Sequence, residues 1–383
     1  MHSVTTMTLL VVSLVGLAPA SNETSELTFT GAWVVDPSPN VGDGNNALYG
    51  VTAISHNDVW AVGFYYNEAN VTQTLVEHWD GTAWTVVPSP SPGTIYNALS
   101  SVASVSATDV WAVGSFNNGV AQTLVLHWDG ISWEVIPSPN VGTQGSALSG
   151  VTTLSPTDAW AVGLAYPAVG VSRTLIEHWD GVSWKVVRSP SSGTTWNQLY
   201  GVSASSATDI WAVGHLYSGT DPSQTLIERW NGLRWTRVRS PTTQEGSILV
   251  GVSSVSSTDA WAVGFRDEAG SPLTLALRWN GTRWRPVSTP HVGVESVLYG
   301  VDALSPDFAW AVGRYTASDG AAPRTLIEFW DGTAWTVFPS PNVGTANNEL
   351  QGVSALSEAE AWAVFYYSDT QTGAARTLIE HFS

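Results

Sequence analysis

The tetrapeptide Trp-Ala-Val-Gly begins at Trp60, Trp111, Trp160, Trp211, Trp261 and Trp310, and a seventh copy, Trp-Ala-Val-Phe, begins at Trp362. The spacings are 51, 49, 51, 50, 49 and 52 residues. A period near 50 means that one supersecondary unit is repeated and that no unit can bury its apolar surface alone. A Thr-Leu pair follows each copy, at Thr74, Thr123, Thr174, Thr225, Thr274, Thr325 and Thr377. The motif W-[DN]-G-x-x-W comes next, then Ser-Pro or Thr-Pro and a polar loop.

Each unit reads as four short strands. In the first, strand a is Leu48 to Ser55, strand b Val59 to Tyr66, strand c Thr74 to Trp79 and strand d Ala83 to Pro88. Asp80-Gly81 makes the c–d hairpin turn. A period of 3.6 residues, as a helical solenoid needs, is absent. Abundant glycine (35), proline (20) and tryptophan (21) agree with an all-β chain. The chain stops at TLIEHFS, after a strand c, while Thr30 to Gly42 aligns with the strand-d segment near Trp335. The expectation is an all-β, seven-bladed β-propeller with four antiparallel strands per blade, its ring closed by the N-terminal strand completing the last blade.

Residues 1–20 stand apart. The apolar run Met7 to Ala18 leads to Ala18-Pro19-Ala20, an A-x-A pattern. It reads as a secretory signal peptide, too short for a comfortable membrane span. A single propeller domain over residues 21–383 is expected, secreted or held at the cell surface, as a monomer. Acidic residues outnumber basic ones 32 to 14, for a net charge of −18, which argues against nucleic acid and anionic membranes. Absence of cysteine removes disulfides, thiolate nucleophiles and Cys-bound metals.

Comparison between repeats separates scaffold from candidate site. Asp80, Asp129, Asp180 and Asp331 share their turn position with Asn231 and Asn280, so the group is a turn residue and not an acid or a metal ligand. Of the 21 tryptophans, 20 fall on three repeat positions, which reads as filler between blades. Truncating one to alanine should cost roughly 3–5 kcal/mol. The place of His78 also holds Arg229, Arg278 and Phe329, and that of Glu77 also holds Leu126 and Leu277. Both read as partly buried, hydrogen-bonded scaffold, and no metal or cofactor is expected. The repeated Ser and Asp of the a–b turn, such as Ser55 and Asp58, are expected to satisfy turn amides.

The D-x-W-A-V-G and H-W-D-G-x-x-W repeats resemble those of a secreted bacterial family of tandem propeller repeats, over residues 30–383. That resemblance implies the seven-bladed fold and an exported or surface protein. The layout is also similar, more remotely, to seven-bladed bacterial lectins, which place an aromatic strand, a His and W-D-G-x-x-W in each blade. The spacing from His to the Asp-Gly turn differs here, so no sugar-binding residue is carried over.

Function is then sought where repeats differ, on the b–c and d–a loops of one face. Candidate ligand-binding residues there are Tyr65, Tyr66, Tyr96, Tyr166, Trp196, Tyr217, Arg266, Asp267, Arg314, Tyr315, Tyr366 and Tyr367. Asp302 stands in strand a where other blades carry Thr, Ser or Ala, and is expected as a solvated channel residue. The leading expectation is a non-enzymatic propeller that binds an extracellular glycan or protein. A glycan-active hydrolase or lyase would use carboxylates among Glu68, Asp267, Glu268, Asp302, Asp319 and Asp369. A structural cell-envelope module is the third expectation.

Overall fold

The computed structural model describes residues 31–190, 195–219, 221–241 and 245–383. The expected signal peptide and the start of the mature chain near Ser21 lie outside these residues. The described chain forms seven four-stranded antiparallel sheets, the blades of a seven-bladed β-propeller, and no helix forms among the described residues.

In blade one, strand a is Asn46–Ser55, strand b Asp58–Tyr66, strand c Thr72–Trp79 and strand d Trp84–Val86. Strand d is shorter than expected, ending at Val86, although the Val87 amide still reaches the Val76 carbonyl at 2.9 Å. At the c–d turn, Asp80 Oδ1 accepts from the amides of Thr82 and Ala83 at 2.8 and 3.0 Å, and Gly81 takes a φ of 91°. Asn231 and Asn280 make the same two bonds with their amide oxygens, which is why Asp and Asn interchange.

The ring closes as the terminal fragments predict. Trp33–Asp36 pairs with Ala375–Phe382 as strand d of blade seven, with Trp33 opposite Phe382. Closure completes an interface that the other blades repeat. Each strand-b tryptophan packs against two aromatic rings of the next blade: Trp60 lies 5.0 Å from Trp128 and, edge-on, 5.4 Å from Trp133. Between blades six and seven Trp310 meets Phe382 at 5.2 Å and Trp33 edge-on at 5.3 Å, and between blades seven and one Trp362 meets Trp79 at 5.4 Å and Trp84 edge-on at 5.5 Å. All seven strand-b tryptophans are buried.

A second contact explains the His, Arg and Phe of strand c. His78 lies over the Trp60 ring at 4.2 Å, and its Nε2 is 2.8 Å from Asp58. Arg229 covers Trp211 at 4.6 Å and pairs with Asp209 at 2.6 Å. In blade six Phe329 packs on Trp310, and Phe308 stands where the aspartate would be, 5.0 Å from Phe329. Asp therefore goes with a basic partner and Phe with Phe. The aspartates expected to satisfy turn amides instead hold the group stacked on tryptophan. The serines do serve the turn, as Ser106 does for the Thr108 amide at 3.3 Å.

The Glu77 position also departs from expectation. Glu77, Glu177, Glu228, Glu328 and Glu380 are fully buried between blades, not partly buried. Ser189 donates to Glu228 at 2.8 Å and Ser340 to Glu380 at 2.9 Å, whereas the carboxyls of Glu77 and Glu328 have no hydrogen-bond partner among the described residues. Burial raises the pKa of all five: to about 8 for Glu177, Glu328 and Glu380, to about 7 for Glu228, and well above the ordinary 4.5 for Glu77. The folded chain holds these protons at pH values where the unfolded chain has lost them. Stability is therefore full below pH 4.5 as far as these groups are concerned, and falls as pH rises from there through about 8. Thermal melts should give a midpoint that drops over this window. Glu177→Gln and Glu328→Gln together should flatten the slope; an unchanged slope would mean that the carboxyls are ionised in the fold.

Candidate functional site

The centre of the ring is shaped by a β-bulge repeated in every strand a. Leu48 pairs with Gly63 and Gly50 with Val62, leaving Tyr49 without a partner. The same skip occurs at Ser100, Ser149, Tyr200, Val250, Tyr299 and Gln351. A bulge re-aims one side chain out of the ladder, and here all seven line a central cavity of ≈ 470 Å³. The glycine of Trp-Ala-Val-Gly is what lets strand a come close: a Cβ on Gly63 would fall 1.9 Å from the Ala47 carbonyl oxygen. Blade seven carries Phe365 at this place, and its ring lies 5.1 Å from Tyr49.

Strand a also binds blade to blade around the channel. The Ser203 hydroxyl accepts from the Ser254 amide at 3.0 Å, Ser253 from Ala303 at 3.1 Å and Ser354 from Ala53 at 3.1 Å. Asp302 belongs to this belt. It accepts from the Ala355 amide at 2.8 Å and from the Ser253 hydroxyl at 3.3 Å. Burial raises its pKa against the pull of those bonds. The expectation of a solvated channel residue is corrected: Asp302 is a longer arm doing the work that serine does in other blades.

Around the bulge three positions differ from blade to blade: the bulge residue, the residue two before it and the residue after each Trp-Ala-Val-Gly. In blades six, seven and one these positions bring charge and aromatic rings together. Arg314 Nε donates to the Tyr299 hydroxyl at 3.2 Å and lies 3.6 Å from Glu349. The Tyr366 hydroxyl donates to Glu349 at 3.3 Å. Tyr49 packs between Phe64 at 5.8 Å and Phe365 at 5.1 Å, and Tyr66 closes edge-on over Phe64 at 5.7 Å. In blade four Tyr200 stacks on His215 at 5.6 Å. Blade five is apolar, with Ile248, Val250 and Phe265, and blades two and three offer the small residues Ala98, Ser100, Ala147 and Ser149.

Burial and neighbours set the charge of these groups. Burial raises the Glu349 carboxyl, with Arg314 and Tyr366 pulling it back. Arg314 is lowered by burial but raised more by the Tyr299 hydroxyl and by Glu349, so it stays a cation. Burial and the Glu349 charge push Tyr366 up to about 12, and burial with Tyr166 nearby does the same for Tyr200. Burial lowers His215, which keeps its imidazole neutral.

The expected site residues divide in two. Arg314 bonds to the cavity-lining Tyr299, Tyr366 shares Glu349 with Arg314, and Tyr66 and Tyr166 act on the charge of the cavity-lining Tyr49 and Tyr200. Tyr96 bonds to Ser115 at 2.7 Å, and Tyr166 is near enough to Tyr96 and Tyr200 to feel and exert charge effects. Trp196 packs edge-on against Tyr166 at 5.6 Å. Tyr65 and Tyr315 instead pack on the cores between blades. Tyr217 bonds to Gly219 of its own loop at 3.0 Å, and Tyr367 lies within strand b opposite Asn348. Arg266 pairs with Glu268 and borders a separate cavity of ≈ 390 Å³ that also involves Pro241 and His291. Asp267, Glu68 and Asp319 are exposed, and Asp369 is held in a turn by the Gln371 amide at 2.8 Å.

Sequence reasoning missed Tyr49, Tyr200, His215, Tyr299, Glu349 and Gln351. For Tyr49, Tyr200, Tyr299 and Gln351 a signal was present: in the frame Leu-x-[Gly/Ser]-Val the second residue reads Tyr, Ser, Ser, Tyr, Val, Tyr, Gln while its neighbours hold nearly constant. Carbon-detected titration should find the Glu349 carboxyl above 4.5. Arg314→Gln should raise it further, because a cation is lost; no change would break the pairing described here.

No family model matches the chain, and no curated protein matches it. Solved propellers do. YCF48 bound to D1 peptide is 14% identical, covers 93% of this chain and 97% of its own, and superposes with a TM-score of 0.55. A polysaccharide lyase, an ulvan lyase bound to -[GlcA(1-4)Rha3S]-, is 10% identical, with coverage of 88% and 94% and a TM-score of 0.56. The lectin SapL1 in complex with alpha methyl fucoside is 12% identical, with coverage of 79% and 99% and a TM-score of 0.50. At these identities the likeness establishes the propeller fold that the chain shares with them.

Proposed function

We propose that this protein is an exported, non-enzymatic binding propeller that takes an extracellular glycan or protein at the channel mouth on its b–c/d–a face. The observation that carries the reading is the bulge: seven aligned backbone positions aim seven side chains at one cavity, and these side chains are the ones the repeat leaves free to vary. A constant frame around a variable ring is what a binding site on a rigid scaffold requires. The loops behind the ring are held as well. Buried Asn46 accepts from the Val41 amide at 2.9 Å and donates to Gly44 at 2.9 Å, and Asn348 repeats both bonds in its own loop.

Propellers of this fold bind a peptide, a lyase substrate and a fucoside, so the fold itself is open to either partner class. A hydrolase or lyase with a pair of carboxylates at the mouth finds less support. Of the six candidates, Asp302 is taken up by the belt between blades and Asp369 by a turn, while Glu268 is paired with Arg266.

The test is a glycan array together with a pull-down from extracellular material, using the full chain. The expected outcome is a captured ligand whose binding is lost in Tyr49→Ala with Tyr299→Ala. Binding should be kept in Ile131→Ser on the opposite face, where the side chain is 84% exposed. Capture that ignores the mouth substitutions, or no capture on either platform, would contradict the proposal. N-terminal sequencing of protein from the culture medium should begin near Ser21 if the chain is exported as proposed.

A further inference from the structure

The mouth combines three features that together narrow the ligand. First, its cation is matched by acid. Arg314 faces Glu349 at 3.6 Å and also feels the charge of Glu295. The rest of the molecule carries a large excess of acid, −18 in total, so a polyanion meets repulsion on approach and no spare cation at the end. Second, the Arg314–Glu349 pair offers a donor and an acceptor side by side, flanked by the hydroxyls of Tyr299 and Tyr366. Adjacent hydroxyls of a ligand can answer such a pair, one accepting from the guanidinium and its neighbour donating to the carboxylate. Third, the Tyr49, Phe64 and Phe365 rings stand next to this pair, close enough that Glu349 acts on the Tyr49 hydroxyl. An amphipathic aromatic wall beside charged hydrogen-bonding groups suits a ligand with an apolar face and a hydroxylated edge.

We infer that the mouth receives a neutral sugar unit of a glycan, one face against Tyr49 and a vicinal pair of hydroxyls held between Arg314 and Glu349. The inference rests on the binding reading above and gives it a ligand class. Tyr49 and Tyr299 line the central cavity of ≈ 470 Å³, which is of small-ligand size, within the roughly 300–1,000 Å³ of such sites, and Arg314 joins it through its bond to Tyr299.

The experiment is calorimetric titration of the full chain with methyl glycosides of neutral hexoses, their uronic-acid counterparts and deoxy analogues lacking one vicinal hydroxyl. Neutral glycosides should bind, uronates should bind more weakly, and the matching deoxy analogue should lose about tenfold or more, as expected for a hydrogen bond to a charged group. Arg314→Gln and Glu349→Gln should each cost a similar factor. Tyr299→Phe, which removes one hydroxyl and little volume, should weaken binding even if the charge variants melt early. Ile131→Ser should bind as wild type. Uronates binding as well as neutral sugars, or glycoside binding indifferent to Arg314 and Glu349, would overturn the inference. If folded protein binds no glycoside but captures a protein partner that Tyr49→Ala releases, the binding reading stands and the sugar inference falls. If nothing is captured by any route, both fall.

Discussion

Everything in this molecule depends on the contact between the strand-b tryptophan of one blade and the aromatic pair of the next. It is a large apolar contact made seven times, and it works only if the seventh blade meets the first. Trp362 makes that last meeting on Trp79 and Trp84 of the first blade, from a blade that Trp33 and Phe382, at opposite ends of the described chain, complete together. The cation or ring stacked on the other side of each tryptophan, and the carboxylate or Phe308 behind it, follow from filling the space beside the indole. With the contacts between blades so constrained, the differences between blades fall on the loops and on the positions at and beside the bulge.

Much of the fold was legible because its causes are local or repeated. The Asp-Gly turns, the strand count and the terminal closure follow from residue type and spacing alone. The parts that were not legible depend on what lies across an interface. Glu77 reads as a polar residue on an alternating strand, and nothing in its own blade says that the neighbouring sheet covers it. Asp58 reads as a turn former because its partner, His78, is 20 residues away, yet the exchange of Asp58 and His78 for Phe308 and Phe329 in blade six already carried the pairing. Asp302 looked exceptional by charge, but its backbone partner Ala355 lies in the next blade.

The site was half legible for the same reason. Aromatic residues on the b–c loops drew attention to Tyr66, Tyr166, Arg314 and Tyr366, which stand beside the bulge tyrosines or the Glu349 that faces them. A tyrosine such as Tyr65 alternates to the other side of its strand and becomes filler between blades. The bulge residues escaped notice because an ideal strand has no position pointing along the sheet towards the axis. Only a break in the period of two gives one, and the repeated Leu, Gly or Ser, and Val around it mark the break.

The claim that ties these points together is that the ring of bulge residues, and not the loop tips or the blade rims, is where this propeller meets its ligand. Hydroxyl-radical footprinting of the full chain, with and without the ligand captured on the array or in the pull-down, tests it directly. The account predicts protection at Tyr49, Tyr299 and Tyr366 and none at Ile131 or its neighbours on the opposite face. Protection spread over the outer rims, with the mouth tyrosines as reactive as in the free protein, would contradict it.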